Sequence, residues 1–265
     1  MKIHDTHAHL LFPALAPRLN EVLENARRAG VRRITVPALG PEPGELMQAM
    51  DLAGRIRGIT VIAGIHPHQA SRADDAFLEL VRTHRAKLTA WGEIGLDYHY
   101  DFSPRSVQAD VFARQLDAAR DAGLPVVLHI RDAHEDALAL LKSHPAREGS
   151  VVHCFTGSPE AARRFLDLGF FISFSGIVTF PRAQEVRQSA CMVPQNRLLV
   201  ETDAPYLAPQ RHRGRTCEPA FVRETLFELA ALRKEDPDAL AAAAWENAQA
   251  FLAGGGQPCQ EGEII

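Results

Sequence analysis

The chain has little cysteine: four among 265 residues, Cys154, Cys191, Cys217 and Cys259. They are scattered and no Cys-x-x-Cys pair occurs, so nothing points to a zinc ribbon or a dithiol redox motif. Long apolar runs are missing as well, and none approaches the length of a membrane span. The opening stretch MKIHDTHAHLLFPAL has no extended apolar core and carries charge inside it, so no signal peptide is expected. An excess of positive charge is also absent: 29 Lys and Arg stand against 33 Asp and Glu, a net charge of −4. That argues against a protein that coats nucleic acid through a broad basic face. It leaves room for an enzyme that gathers positive charge locally, from metal ions and a few arginines. No internal repeat, linker or low-complexity block interrupts the chain. The expectation is a reduced, cytoplasmic protein with no membrane partner.

What the chain does have is ordinary globular material, 46% hydrophobic and 23% charged. That is enough for a core without covalent staples. Short β-rich runs alternate with longer helical patterns. Eight strands are expected: KIHDTHA (2–8), VRRITVPA (31–38), GITVIAGI (58–65), LTAWGEI (88–94), PVVLHI (125–130), SVVHCF (150–155), FFISFSG (170–176) and RLLVETD (197–203). Between them lie amphipathic stretches such as LNEVLENARRAG (19–30) and SVQADVFARQLDAARDAG (106–123). Each closes on a glycine, the residue favoured just past a helix end. In the second, Val107, Val111, Leu116 and Ala119 follow roughly the helical period. Strands alternating with helices imply parallel βαβ units. Eight of them over about 250 residues imply an α/β fold, a (β/α)8 TIM-type barrel. Residues 218–252 read as two helices packed outside the barrel as C-terminal additions. The whole of 1–253 is then one domain, and GGGQPCQEGEII (254–265) is expected to be a flexible tail.

Placed on this scheme, the ligand-type residues gather at strand ends. His7 and His9 close the first strand, Glu93 the fourth, His129 the fifth, His153 the sixth and Asp203 the eighth. The C-terminal mouth is where barrel enzymes build their sites. Period two puts His7 with His9, His129 with Arg131 and Glu201 with Asp203 on shared faces. Singly, each residue has a plainer reading. A histidine at a strand end is usually a hydrogen-bonded structural residue. Glu93 could partner a helix N-cap, and Asp203 could form the turn before Pro205. Ligand-type residues ending five of eight strands are harder to reach by chance. Four imidazoles and two carboxylates on one mouth would hold two divalent ions, with Glu93 or Asp203 able to bridge them. Alternation points Cys154 and His4 away from that mouth.

These stretches resemble the TatD family of metal-dependent deoxyribonucleases, within the wider amidohydrolase-like barrel superfamily. The matching segments are DTHAHL (5–10), GIHPH (64–68), GEIGLDYHYDFSP (92–104), LPVVLHIRDA (124–133), VVHCFTGS (151–158), FFISFSGIVTF (170–180) and LLVETDAPYLAP (198–209). They run in family order over essentially the whole chain; the His-x-His alone would be weak. The resemblance implies a barrel with one or two divalent ions held by His7, His9, Glu93, His129, His153 and Asp203. It also implies hydrolysis of DNA phosphodiesters, often 3′-to-5′ with a single-strand preference. The partner would be single-stranded DNA or a frayed 3′ end. Glu93 stands where the phosphotriesterase-like branch uses a modified lysine, which favours the TatD branch. One departure is HRGRTCEP (212–219), with Cys217 where the family usually has Asn, on a loop expected to line the mouth. That bears on substrate preference, not on the metals.

In this reading Asp203 is the general base for an attacking water and Glu93 the shared carboxylate. Arg131 gives the phosphate a forked donor, against the alternative of an ion pair with Asp132 or Glu135. His66 donates one more hydrogen bond, and Tyr206 lies near the phosphate. Asp5 and Glu201 back the histidines. The aromatic cluster of Tyr98, His99 and Tyr100 either stacks an unpaired base or covers the barrel top. Imidazole ligands suit zinc or manganese, while the family is commonly magnesium-dependent. Two rivals share the residues: a hydrolase of another ester, small phosphoester or amide, and a non-catalytic scaffold with a structural metal.

Overall fold

The computed structural model describes residues 1–100, 102–256 and 264. Eight parallel strands run in sequence order around the sheet: β1 (Ile3–Asp5), β2 (Val31–Leu39), β3 (Ile59–Gly64), β4 (Ala90–Asp97), β5 (Val126–Arg131), β6 (Val151–Val152), β7 (Phe171–Phe174) and β8 (Leu198–Val200). The ring closes between β8 and β1. Thr6 N donates to Val200 O (3.1 Å), Asp203 N to His7 O (2.9 Å) and His9 N to Ala204 O (2.7 Å). Each strand is followed by a helix on the outside: α1 (Leu19–Arg28), α2 (Pro43–Arg55), α3 (Asp75–His84), α4 (Arg105–Ala122), α5 (His134–Ser143), α6 (Pro159–Asp167), α7 (Gln184–Met192) and α8 (Val222–Arg233). This is the TIM-type barrel.

Of the two helices expected as C-terminal additions, the first is α8, the barrel's own eighth helix. Only α9 (Pro237–Ala253) is extra. It reaches the barrel's N-terminal end, where Asn247 Nδ2 donates to Gln195 O (2.7 Å) and Leu198 O (2.8 Å). Its Ala248 and Phe251 join a separate cluster with Ile62, Ala90, Val127, Val151, Phe171 and Leu199. One inward residue from each of β3 to β8 thus fills the barrel, and α9 plugs it from below. With that end closed, chemistry is confined to the opposite mouth. Of the expected tail, 257–263 and 265 lie outside the described residues. Gly256 N donates to Leu88 O (3.0 Å), and Ile264 is buried with its N donating to Arg32 O (2.9 Å). No helix among the described residues is long and apolar enough to cross a membrane.

The inward cluster sets the phase of the site above it. Two residues past Val127 comes His129, two past Val151 comes His153, and two past Leu199 comes Glu201. On β4 simple alternation from Ala90 would turn Ile94 inward. The register shifts between Gly92 and Ile94, which pair with the consecutive residues Val127 and Leu128. Glu93 is the extra residue of this bulge, and Ile94 packs in the outer core instead. Glu93 therefore lies inside β4 and not at its end, as the sequence reading had it. The strand continues to Asp97.

Gly95, just past the bulge, has φ +144°, and a Cβ there would sit 2.0 Å from His129 O. Neither the backbone nor the neighbouring strand tolerates a side chain. Gly95→Ala should lower the unfolding free energy by roughly 2 kcal/mol or more. Chemical denaturation measures this; an unchanged midpoint would mean that β4 and β5 are not held this close.

Candidate metal centre

Glu93 is buried at the floor of the mouth and is ringed by imidazoles. Its Oε2 lies 3.1 Å from His7 Nε2 and 3.9 Å from His9 Nε2. Its Oε1 lies 2.9 Å from His153 Nε2, 3.1 Å from His129 Nδ1 and 3.5 Å from His66 Nε2. Asp203 Oδ1 stands on the first side, 3.4 Å from His9 Nε2 and 3.9 Å from His7 Nε2. The structure thus brings the six residues expected as ligands together. The Glu93 carboxylate turns Oε2 to His7 and His9 and Oε1 to His129 and His153, and the two sides touch where His7 stacks on His153, centroids 4.1 Å apart. His7 and His9 lie beyond the short β1, on the segment whose hydrogen bonds close the barrel. Asp203 sits at φ +57°, a left-handed conformation that Asp tolerates better than most residues.

Two of the imidazoles are oriented from behind. His153 Nδ1 lies 3.1 Å from Glu201 Oε1, and His129 Nε2 lies 3.0 Å from Asp97 Oδ2. A carboxylate takes one ring N–H, so the other nitrogen faces the centre and offers it a lone pair once a cation replaces its proton. His66 is arranged in the opposite sense. Its Nδ1 accepts from His68 N (3.1 Å), so Nε2 carries the proton and faces the site as a donor. Asp97 is the residue that the sequence reading passed over. Its Oδ2 also meets His68 Nε2 (2.8 Å), and its Oδ1 accepts from His99 N (2.9 Å) and Tyr100 N (3.0 Å). The signal was present in GEIGLD, once the strand is extended to Asp97. His68 likewise stood in GIHPH.

The electrostatics call for added positive charge. Burial works against ionising Glu93, yet the surrounding imidazoles hold its carboxyl well below the usual range. Burial likewise opposes ionisation of Asp203, and His9, His153 and His7 outweigh it. Burial disfavours the His153 imidazolium, yet Glu93 and Glu201 lift its pKa well above 6.5. Burial and the neighbouring His153 push His7 the other way. Imidazole lone pairs and carboxylate oxygens are all acceptors. Crowding them in overlapping groups of three, each with its ligand atoms within 4.8 Å of one another, demands protons or cations between them. Mixed nitrogen and oxygen donors in two groups sharing one carboxylate fit divalent cations.

Above the centre is a cleft of about 800 Å³. Arg131 lines it, and its guanidinium lies over the Tyr100 ring, 4.9 Å from the centroid. The acids close to Arg131 in sequence have other partners: Asp132 meets His99 and Glu135 meets Arg164. Tyr206 is on the rim, edge-on to Phe12 at 6.1 Å. Several expectations need correction. Tyr98, expected to contact substrate, does not line the cleft. Its hydroxyl donates to Asp136 (2.7 Å) and Arg105 covers its ring, because Asp97 takes the inward position beside it. Asp5 backs no imidazole ring: its carboxylate accepts from Thr202 N (2.8 Å) and Thr202 Oγ1 (2.6 Å), with the His7 backbone N at 3.4 Å. Cys154 does line the cleft. β6 ends at Val152 and Cys154 has φ +43°, so strand alternation no longer directs it. Cys217 is fully buried in the core and does not line the mouth. His4, as read from its face, is turned away and meets Thr35 Oγ1 at 2.9 Å.

The family model for TatD-related DNases matches residues 4–253. The metal-dependent hydrolase YabD of Bacillus subtilis, whose name carries the qualifier uncharacterized, is 37% identical over 251 residues, covering 93% of this chain and 97% of its own. The 3′-5′ ssDNA/RNA exonuclease TatD of Klebsiella pneumoniae is 39% identical over 225 residues, covering 82% of this chain and 85% of its own. Among solved structures, the TatD homologue YjjV of Escherichia coli K12 superposes with a TM-score of 0.88 at 33% identity, covering 94% of this chain and 97% of that one. Matched over nearly its whole length by the family model and by relatives of this identity, the chain belongs to the TatD-related DNase family of metal-dependent hydrolases.

Proposed function

We infer that the chain is a divalent-metal-dependent nuclease that hydrolyses phosphodiester bonds of single-stranded DNA from the 3′ end. The observation that carries this reading is the Glu93 carboxylate shared between two groups of ligand-type side chains at the floor of an open cleft. A closed structural site would leave no approach for substrate. Relatives named 3′-5′ ssDNA/RNA exonucleases, at 34 to 39% identity, support the nucleic-acid substrate. A chain of net charge −4 suits an enzyme that grips a few nucleotides.

His7, His9, Glu93, His129, His153 and Asp203 would hold the cations. When bound, these ions would polarise the phosphate and make a water acidic enough to attack near neutral pH. Asp203 is the general base. Its carboxylate is kept ionised by His9, His153 and His7, and it lies at the cleft surface, where water arrives. Arg131 donates from the cleft wall to a non-bridging phosphate oxygen, its planar head steadied by Tyr100. His66 Nε2–H donates beside Glu93, leaving its proton in place throughout. Glu201 and Asp97 hold His153 and His129 in the orientation the centre needs. The imidazole-rich donor set favours manganese or zinc over magnesium.

A 5′-labelled single-stranded oligonucleotide tests this directly. The wild type should produce a ladder shortening from the 3′ end, abolished by chelator and restored by manganese, zinc or magnesium. Asp203→Asn should cut the rate at least about 100-fold while circular dichroism stays unchanged; a near-normal rate would remove Asp203 from the base role. Arg131→Ala should raise KM roughly ten-fold with the metal content per chain unchanged. Unaltered KM and kcat would mean that the phosphate is held elsewhere.

A further inference from the structure

Seven large apolar side chains are exposed among the described residues, and three of them, Tyr100, Phe102 and Tyr206, rim this one cleft. Tyr100 and Phe102 are 42% and 66% exposed, yet their rings are stacked on each other, 9° from parallel with centroids 5.4 Å apart. Both meet His68 edge-on, at 5.6 and 4.9 Å. The backbone at Tyr100 is tied to the site below. Asp97 Oδ1 accepts from the His99 and Tyr100 amides, while Oδ2 of the same carboxylate meets His68 and His129. An exposed aromatic pair anchored through a buried carboxylate is costly as decoration, because water gains nothing from it and the anchor orders the loop.

Resting on the nuclease reading above, we propose that Tyr100 and Phe102 are the stacking platform for one unpaired base flanking the scissile phosphate. This platform would give the enzyme its preference for single strands. A nucleobase offers a flat π-face whatever its identity, so the contact selects unpaired ends without selecting sequence. Arg131 joins the two functions. Its guanidinium lies 4.9 Å from the Tyr100 centroid on the cleft wall, so a phosphate held by Arg131 sets its adjoining base beside the platform. Bases within a duplex are stacked on one another and paired, and they can reach the platform only after fraying. The shared Asp97 anchor fixes the distance between platform and centre, so stacking also sets which bond is cut.

The test uses three 5′-labelled single-stranded oligonucleotides. One is intact, one carries a tetrahydrofuran abasic analogue as its last nucleoside, and one carries it as the next to last. With manganese present, kcat/KM is measured for the wild type, for the double variant Tyr100→Ala/Phe102→Ala and for the ring-retaining Tyr100→Phe/Phe102→Tyr. In the wild type, removing the base at one of the two positions should cost about ten-fold. The double alanine variant should be slower on the intact strand by a similar factor and indifferent to the base at that position. The ring-retaining variant should keep the preference. A wild type indifferent to the base at both positions, or a double alanine variant that keeps the preference, overturns the platform. A wild type that cuts none of the three strands defeats the nuclease reading itself, and the platform with it.

Discussion

A carboxylate buried among imidazoles is the constraint on which the rest of this structure depends. Glu93 contributes one oxygen to the His7 and His9 side and the other to the His129 and His153 side. Such a group is expensive to desolvate, and it is tolerated only because every neighbour answers its charge. The neighbours answer one another as well: Glu201 backs His153, Asp97 backs His129 and Asp203 faces His9. The centre is therefore a network and not a set of separate ligands. Removing one member leaves buried charge uncompensated at several others.

The barrel serves this network in two ways. Its lower half is an apolar plug sealed by Ala248 and Phe251 of α9, so the polar cluster rests on an apolar floor. Its strands deliver the site by alternation, except on β4, where a bulge moves Glu93 inward and Ile94 outward. The same carboxylate that steadies His129 also ties down the loop bearing Tyr100, so the chemistry and the mouth share an anchor in Asp97.

Much of this was legible in the sequence, for identifiable reasons. Eight short β-rich runs alternating with helical patterns are the barrel written out. Histidines two residues past inward apolar positions, as in VVLHI and SVVHCF, announce which face they share. The strand holding Glu93 was read as ending too early, because a bulge breaks the period-two pattern and single-sequence periodicity cannot supply a skipped register. Asp97 was lost with it. Tyr98 was named among the substrate contacts and Phe102 was not singled out, because the fold of a loop decides which ring reaches the cleft. Cys217 was assigned to the mouth, yet it is packed in the core, its backbone N donating to Pro205 O (3.0 Å). Asp5 was paired with histidines, whereas its carboxylate is satisfied by Thr202 across the β1–β8 seam.

The central claim is that Glu93 joins two groups of side chains into one centre for two divalent cations. Titration of metal-free protein with manganese, followed calorimetrically for wild type and Glu93→Gln, tests it most directly. The account predicts two cations per wild-type chain and the loss of at least one in a variant that stays folded. Binding of the same stoichiometry and affinity in Glu93→Gln, or no stoichiometric binding by the wild type, would contradict it.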